Sequence, residues 1–125
     1  MSRPTGRVRA KDALGRMGED LAARHLGEDG FVVLERNWRC EEGEIDIIAR
    51  DGDTLVVCEV KTRSSHRYGS PFEAITERKL HRLERLGMRW VREQRVRPTR
   101  MRVDIVSVLA PPRGQRVIEH VRGLS

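Results

Sequence analysis

The chain has 125 residues, with 25 Lys or Arg against 19 Asp or Glu, so its formal net charge is +6. This length predicts one domain whose hydrophobic core is large enough to fold without disulfides or structural metals. Two cysteines are too few for a disulfide framework or a four-ligand zinc site. The absence of a long apolar run argues against a membrane span or signal peptide, so we expect a cytoplasmic protein. The net charge predicts a polyanionic partner, unless it only reflects an arginine-rich composition.

The N-terminal third predicts a tail, a helix and a strand. Residues 1–11 are basic without an apolar pattern, so we expect a disordered tail, or else an arm that touches phosphate. The single domain then covers residues 12–125. Residues 12–29 predict a helix, because apolar residues recur at helical spacing and a glycine follows as a stop. Residues 31–39 predict the first strand, in which Trp38 fits a half-buried core position better than a base-stacking platform.

The next stretch, GEIDIIARDGDTLVVCEVKT at residues 43–62, predicts a β-hairpin. Apolar residues fill positions 45–49 and 55–60, and the Asp-Gly-Asp sequence between them is typical of a short hairpin turn. Because side chains alternate along a strand, Ile45 and Ile47 are expected on one face, with the intervening acid on the other.

The length of the turn decides whether Asp46 and Glu59 meet. If Gly52 and Asp53 are the two loop residues, Asp46 lies directly opposite Glu59 on the same face; a two-residue loop that starts one position earlier separates them by one diagonal step. A three-residue loop without a bulge would send them to opposite faces, because a slip of one residue flips every side chain.

Asp46, Glu59 and Lys61 therefore gather at one end of an otherwise apolar hairpin. Two carboxylates suit Mg²⁺, with Mn²⁺ as a substitute and the backbone carbonyl of Val60 as a further candidate ligand. The ammonium of Lys61 could lower the pKa of an attacking water, orient it, or offset charge on a phosphate. Only three of the 25 basic residues are lysines, which favours a need for a compact ammonium here. The alternative is a cross-strand salt bridge that only fixes the register.

The loop after the hairpin leaves directly from this charged end. Its arginines, Arg63 and Arg67, are candidates for contacts with substrate phosphates. A second helix is predicted over residues 70–93, with Ser70 as its N-cap, proline at the first helical position and Glu73 closing a capping box.

The basic residues of the second helix recur every three or four positions and form one ridge. A solvated face is the default interpretation of such a ridge, but unbroken like charge is unfavourable unless a polyanion neutralises it. The candidate DNA contacts on this helix are Arg78, Lys79, Arg82, Arg85 and Arg89.

The last part of the chain predicts two further strands, over residues 100–109 and 116–122. A right-handed crossover through the second helix would make the first of these parallel to the strand of Glu59 and put its start at the opposite end of the sheet. Asp104 is therefore expected to be structural. The order of elements predicts an α/β fold, in which a mixed sheet carries a helix on each face in an αβββαβ core.

An aspartate on one strand, followed after a short hairpin by Glu59-Val60-Lys61, resembles the PD-(D/E)xK nuclease superfamily. The closer resemblance is to the YraN family of endonuclease-like proteins, which is similar to the archaeal Holliday-junction resolvases. In one departure from the superfamily pattern, Ile45 precedes the aspartate where the superfamily has a proline. The matching segments are Gly18-Glu19, Gly43-Glu44-Ile45-Asp46, Glu59-Val60-Lys61-Thr62-Arg63, Tyr68-Gly69, Lys79 and Arg102-Val103-Asp104-Ile105.

The resemblance implies a restriction-endonuclease-like fold and a Mg²⁺-dependent endodeoxyribonuclease that leaves a 5′-phosphate and acts on branched DNA. It implies Asp46 and Glu59 as metal ligands, Lys61 beside the attacking water, and Glu19 as a fourth catalytic residue. A symmetric junction would favour a homodimer. A non-catalytic nucleic-acid-binding or assembly protein with the same fold is the main alternative. A basic RNA-binding protein would explain the charge but not the convergent acids.

Overall fold

The computed structural model describes residues 10–65, 70, 72 and 75–124, and these form two helices and five strands in the predicted order. Residues 1–9 of the predicted tail, Arg67 and Glu73 lie outside this part of the chain. The first helix begins two residues earlier than predicted, at Ala10. The elements are α1 Ala10–Glu28, β1 Val32–Cys40, β2 Gly43–Asp51, β3 Thr54–Arg63, α2 Glu77–Gln94, β4 Arg100–Leu109 and β5 Val117–Val121.

The strands form one five-stranded sheet in the order β1-β2-β3-β4-β5. Strands β3 and β4 are parallel and are joined through α2, while the other neighbouring pairs are antiparallel. A mixed sheet with one helix on each face is the restriction-endonuclease-like α/β fold expected from the sequence. Neither described helix is long and apolar enough to cross a membrane.

Two apolar cores lie on the two sides of the sheet, as expected for strands that are covered on both faces. The α1-side core contains Ala22 and Leu26 of α1, and the α2-side core contains Leu83, Leu86 and Trp90 of α2. The sheet contributes Ile47, Ala49, Val56, Cys58, Val106 and Val108 to the first core and Trp38, Ile45, Ile48, Leu55, Val57 and Val103 to the second. Trp38 is thus a core residue, as predicted.

The β2–β3 turn has the predicted two-residue loop. Asp51 pairs with Thr54, so Gly52 and Asp53 form the loop. Gly52 has φ 61°, and a positive φ is what the first loop position of a two-residue hairpin turn requires. This register brings the carboxylate-bearing ends of β2 and β3 together.

The predicted alternation along β2 is wrong at one point. Ile45 packs in the same core as Ile48, three residues away, whereas Ile47 packs on the other side. Regular pairing with β3 ends at Ile47. On the neighbouring strand, Asn37 lies opposite Asp46 and has φ 55°. The two-residue period of β2 is therefore interrupted where β1 is also irregular, and Asp46 lies outside the regular ladder with β3.

The second helix starts later than predicted. Its N-cap is Thr76, whose hydroxyl accepts a hydrogen bond from the backbone N–H of Lys79 at 3.1 Å. The hydroxyl of Ser70 instead accepts a bond from the N–H of Phe72 at 3.2 Å. Thr76, and not Ser70, is therefore the residue that caps α2. Ile75, which falls within the predicted range of this helix, also lies before α2.

The predicted placement of the fourth strand is confirmed. Arg100 at the start of β4 pairs with Thr54, at the end of β3 away from Glu59 and Lys61, and Asp104 lies opposite Cys58 in the middle of the sheet. It is fully buried. Its carboxylate accepts bonds from Arg102 Nε at 2.9 Å and the N–H of Gly123 at 2.9 Å, and it contacts the ring of His120 at 2.8 Å. These bonds tie the C-terminal segment to β4, which supports the predicted structural role.

Candidate active site

The predicted catalytic residues converge where β2 begins and β3 ends, between the N-terminal halves of α1 and α2. A cavity of about 390 Å³ opens between α1 and the end of β3. Its lining includes Glu19 of α1, Asp46 of β2 and Lys61 of β3. The structure therefore brings together residues from three elements that are separate in the sequence.

Close packing of α1 on β3 forms one wall of this cavity. Gly18 is buried against Thr62, and a Cβ at Gly18 would lie 2.7 Å from the Cβ of Thr62. Any larger residue at position 18 would push the helix outward. Gly18 thus sets the distance between Glu19 and the sheet.

Glu59 is nearly buried, with 11% of its side chain exposed, and two lysines contact it. Lys61 Nζ lies 3.6 Å from Glu59 Oε2. The ammonium of Lys79, which comes from α2, makes a direct ion pair with the same oxygen. Lys79 was predicted only as a DNA contact, but its position is inside the carboxylate cluster.

Asp46 lies beside Glu59 in a partly desolvated position. Its Oδ2 accepts a hydrogen bond from the backbone N–H of Val60 at 2.8 Å. Burial, followed by the negative charges of Glu59 and Glu19 and a hydrogen bond with Glu59, raises the pKa of the Asp46 carboxyl to about 7, although the Val60 amide opposes this shift. A hydrogen bond between two carboxyl groups requires a proton on one of them. The two acids are therefore close enough to share a proton.

The two lysines differ in their electrostatic surroundings. Burial and the hydrogen bond with Lys79 lower the pKa of Lys61, even though Glu59 and Asp46 act in the opposite direction. Burial also disfavours the charged form of Lys79, but its bonds with Glu59 and Lys61 outweigh burial and raise its pKa. Lys61 is therefore the lysine that loses a proton more readily.

Glu19 approaches Asp46 but is held by another residue. Arg36 of β1 lies 3.2 Å from Glu19 Oε1 and 2.6 Å from Asp20 Oδ1. The side chain of Glu19 is 13% exposed, and its charge acts on Asp46. Glu19 thus belongs to the cavity, with Arg36 fixing its orientation.

The donor set fits a hard divalent cation chemically. Asp46 and Glu59 supply two adjacent carboxylates, and the repulsion between two adjacent negative charges is relieved either by a shared proton or by a cation. No group of three or more His, Cys, Asp or Glu in the described part of the chain is arranged to hold a metal ion. Two carboxylates with the remaining positions left to water and phosphate oxygens are typical of Mg²⁺.

The candidate DNA contacts on α2 divide into two groups. Arg78, Arg82 and Arg85 are exposed and make no ion pair with any residue that the structure describes. Arg89 is different, because its guanidinium bonds Glu41 at 2.9 Å and Glu42 at 3.2 Å. Among the described residues, the basic ridge of α2 is therefore free of ion pairs at Arg78, Arg82 and Arg85, and it is neutralised by acids at Arg89. Arg63, predicted on the loop after the hairpin, is instead the last residue of β3. It is half-buried, and its carbonyl accepts a hydrogen bond from the N–H of Ala110 at 2.8 Å.

Sequence reasoning missed two contacts of this site, those of Lys79 and Arg36. One signal for Lys79 was available, since it is one of only three lysines in an arginine-rich chain, which was the argument applied to Lys61. No local pattern distinguishes Arg36 from the other basic residues at the end of β1. Both contacts depend on helices packing against the sheet.

A mixed sheet with hydrogen-bonded acids and lysines at the ends of its central hairpin defines an α/β protein of the restriction-endonuclease-like class. The chain belongs to the uncharacterised protein family UPF0102, whose model matches residues 18–108, and this is the YraN family that the motifs resemble.

Relatives of the same family match most of the chain. A UPF0102 protein of Nocardioides sp. is 60% identical over 114 residues, which cover 91% of this chain and 92% of that protein. One from Frankia alni is 53% identical, covering 93% of this chain and 97% of the relative. One from Arthrobacter sp. is 55% identical, covering 94% and 99%. The likeness therefore spans the whole fold, including both helices.

Proposed function

We propose that this protein is a metal-dependent nuclease that hydrolyses phosphodiester bonds in DNA. The observation that carries this proposal is the pair of adjacent carboxyl groups of Asp46 and Glu59, with the ammonium groups of Lys61 and Lys79 beside them. Buried acids that repel one another lower stability unless a ligand relieves them. A divalent cation is the ligand that this donor set suits.

In this proposal Asp46 and Glu59 hold Mg²⁺, with Mn²⁺ as a substitute. The bound ion would polarise a phosphate oxygen and lower the pKa of a water molecule. Lys61 lines the cavity and has a lowered pKa, so its amine can orient the attacking water and accept its proton. Lys79 keeps its charge more firmly and opposes the negative charge that builds on the phosphate.

The basic surface beside the site supports a DNA substrate. Arg78, Arg82 and Arg85 extend along α2 from Lys79, with spacings of three or four residues that align them on one side of the helix. Such a row matches the regular charge of a phosphate backbone. Branched DNA, by the resemblance, is the first structured substrate to compare with linear duplex.

Calorimetric titration of Mg²⁺ and Mn²⁺ tests the proposal, with cleavage of linear and four-way DNA assayed on the same samples. We expect Asp46→Asn and Glu59→Gln each to lose metal binding and cleavage together. Glu119→Gln is the matched control, because Glu119 is an exposed acid on β5 and makes no ion pair with a described residue. Wild-type protein that binds neither metal, with or without DNA, would refute the metal-dependent reaction.

One observation favours a second candidate, a non-catalytic DNA-binding or assembly protein. Glu59 already has two lysine partners, so its buried charge is balanced without a metal. This candidate predicts salt-sensitive DNA binding, no cleavage with either metal, and no effect of Lys61→Ala on any DNA-dependent readout. Loss of cleavage in Lys61→Ala with unchanged DNA affinity would instead support the nuclease.

A further inference from the structure

A second cavity lies far from the candidate active site. Its volume is about 510 Å³, and it opens where the β2–β3 turn meets the segment between α2 and β4. Strand β3 runs from Thr54 beside this cavity to Lys61 in the active site. Seven residues of extended strand span about 23 Å. A ligand in this cavity would therefore leave the catalytic end of the sheet open.

The floor and walls of the cavity are apolar. Leu55 and Trp90 are buried and form part of the lining, while Leu34 and Val96 remain 43% and 41% exposed at the same cavity. The indole N–H of Trp90 donates a hydrogen bond to Glu35 at 2.8 Å, which fixes the ring in place. Exposed aliphatic side chains around a concave surface are typical of a binding site for another apolar group.

The wall that contains Val96 is held by the end of α2. Arg95 has φ 57°, and the N–H groups of Arg95 and Val96 donate to the carbonyls of Arg92 and Val91, each at 3.3 Å. This is the hydrogen-bond pattern of a Schellman cap, with arginine in the left-handed position that glycine usually fills. The cap determines the direction of the chain and so presents Val96 at the surface. The wall is thus already formed in the unbound protein.

The rim of the cavity is basic. Arg50 and Arg97 line it and are exposed, and neither makes an ion pair with a residue in the described ranges. Among the described residues that line the cavity, Asp53 is the one acidic residue. The segment that follows carries another exposed arginine, Arg100. The charge complement of this rim is an acidic ligand.

We propose that this cavity binds an acidic segment of a partner protein, which inserts one large apolar side chain between Leu34 and Val96. A base of single-stranded DNA fits less well, because Trp90 is 5% exposed and no other aromatic side chain among the described residues lines the cavity to form a stacking platform. A second copy of this chain would bring the same arginines and a net charge of +6, which oppose association.

The first probe is a fluorescein-labelled peptide of six aspartates followed by Leu-Phe, measured by fluorescence anisotropy against the full chain. We expect saturable binding. Replacing Leu-Phe by two alanines should weaken binding about 30-fold, since the buried apolar side chain supplies most of the affinity. Replacing the aspartates by lysines should weaken it about tenfold or more, because attraction to the rim becomes repulsion.

Variants of the protein locate the site. Leu34→Asp and Arg97→Glu should each weaken the acidic peptide about tenfold. Val117→Asp and Arg24→Glu are matched controls, because Val117 is an equally exposed apolar residue on the opposite edge strand and Arg24 is an exposed arginine on α1. Thermal melting followed by circular dichroism checks that each variant folds. Neither control should change the affinity.

Four outcomes would overturn the proposal. The first is that the acidic peptide shows no saturable binding, and the second is that it binds but Leu34→Asp and Arg97→Glu leave its affinity unchanged. The third is that an oligothymidine binds in place of the peptide and Leu34→Asp abolishes that binding. The fourth is that the chain self-associates in sedimentation experiments and Leu34→Asp abolishes the association. The third would assign the cavity to single-stranded nucleic acid and the fourth to a second copy of the chain. Because no readout involves DNA cleavage, the result does not depend on the nuclease proposal.

Discussion

At the scale of single residues, the protonation of Asp46 makes the first prediction. Its carboxyl pKa is about 7 in the folded protein, against about 3.9 in an unfolded chain. The folded state therefore holds a proton that the unfolded state releases. The stability from this proton is fully present below about pH 4, is lost as the pH rises to 7, and changes no further above that. Asp46→Asn removes the loss, because an amide does not ionise.

We expect Asp46→Asn to be more stable than the wild type at pH 8 by about 2–4 kcal/mol in the presence of a chelator. Its amide oxygen can still accept the bond from Val60. Urea denaturation at pH 4.5 and at pH 8 measures the difference, which should shrink at the lower pH. Glu119→Gln should show no such dependence. An advantage of Asp46→Asn that is equal at both pH values would contradict the raised pKa.

Gly18 provides the second residue-scale prediction. Because the Cβ of an alanine would overlap Thr62, we expect Gly18→Ala to destabilise the fold by about 1–3 kcal/mol, despite the better helix propensity of alanine. Gly27, also on α1, has open space where its Cβ would be, so Gly27→Ala should instead be neutral or stabilising by up to about 1 kcal/mol. Denaturation midpoints of both variants test this, and equal effects would show that α1 does not pack as described.

At the scale of elements, α2 predicts two kinds of arginine. Removing Arg78, Arg82 and Arg85 together should reduce the slope of log K against log salt by about one unit for each lost phosphate contact. Arg89→Gln should leave the slope almost unchanged, because its guanidinium is already neutralised by Glu41 and Glu42. Anisotropy of a labelled duplex between low and moderate salt makes the comparison. An unchanged slope in the triple variant would mean that these arginines face solvent and make no phosphate contact.

The elements also show which features the sequence could predict. The β2–β3 hairpin depends on residues within about ten positions of one another, so alternation and turn chemistry were enough to predict its two-residue loop. The start of α2 was missed because Ser70 and Thr76 are both good N-cap residues, and tertiary packing decides which of them begins the helix. The end of the sheet at which β4 starts was predicted from the crossover through α2, but the residue opposite Asp104 was not, because that crossover and not β4 itself sets the parallel register.

The candidate site was partly predictable for the same reason. Asp46 and Glu59 meet through the local hairpin, which also carries Lys61, and the motif resemblance added Glu19. Lys79 reaches Glu59 only because α2 packs across the sheet, a contact that no local period reveals. The interruption of the alternation at Asp46 was equally hidden, because it coincides with the left-handed conformation of Asn37 on the neighbouring strand, which the hairpin sequence does not show.

At the scale of the whole molecule, the two ends of the sheet carry different surfaces. Acids and lysines lie at one end of β3, and an apolar cavity with a basic rim lies at the other. The proposed DNA substrate and the proposed partner would thus occupy separate faces. The stability of the whole domain should therefore respond to metal through the first end alone.

This gives the last prediction, that Mg²⁺ raises the melting temperature of the wild type. At ten times its Kd, a ligand that binds only the folded state adds about 1.4 kcal/mol, which corresponds to roughly 5 °C for a domain of this size. The shift should be larger at pH 8 than at pH 6, because the metal binds the ionised form of Asp46 and must displace its proton at the lower pH. Calorimetric melts at matched ionic strength measure it. Glu119→Gln should keep the shift and Asp46→Asn should lose it; an equal shift in Asp46→Asn would mean that Mg²⁺ stabilises the fold somewhere other than the carboxylate pair.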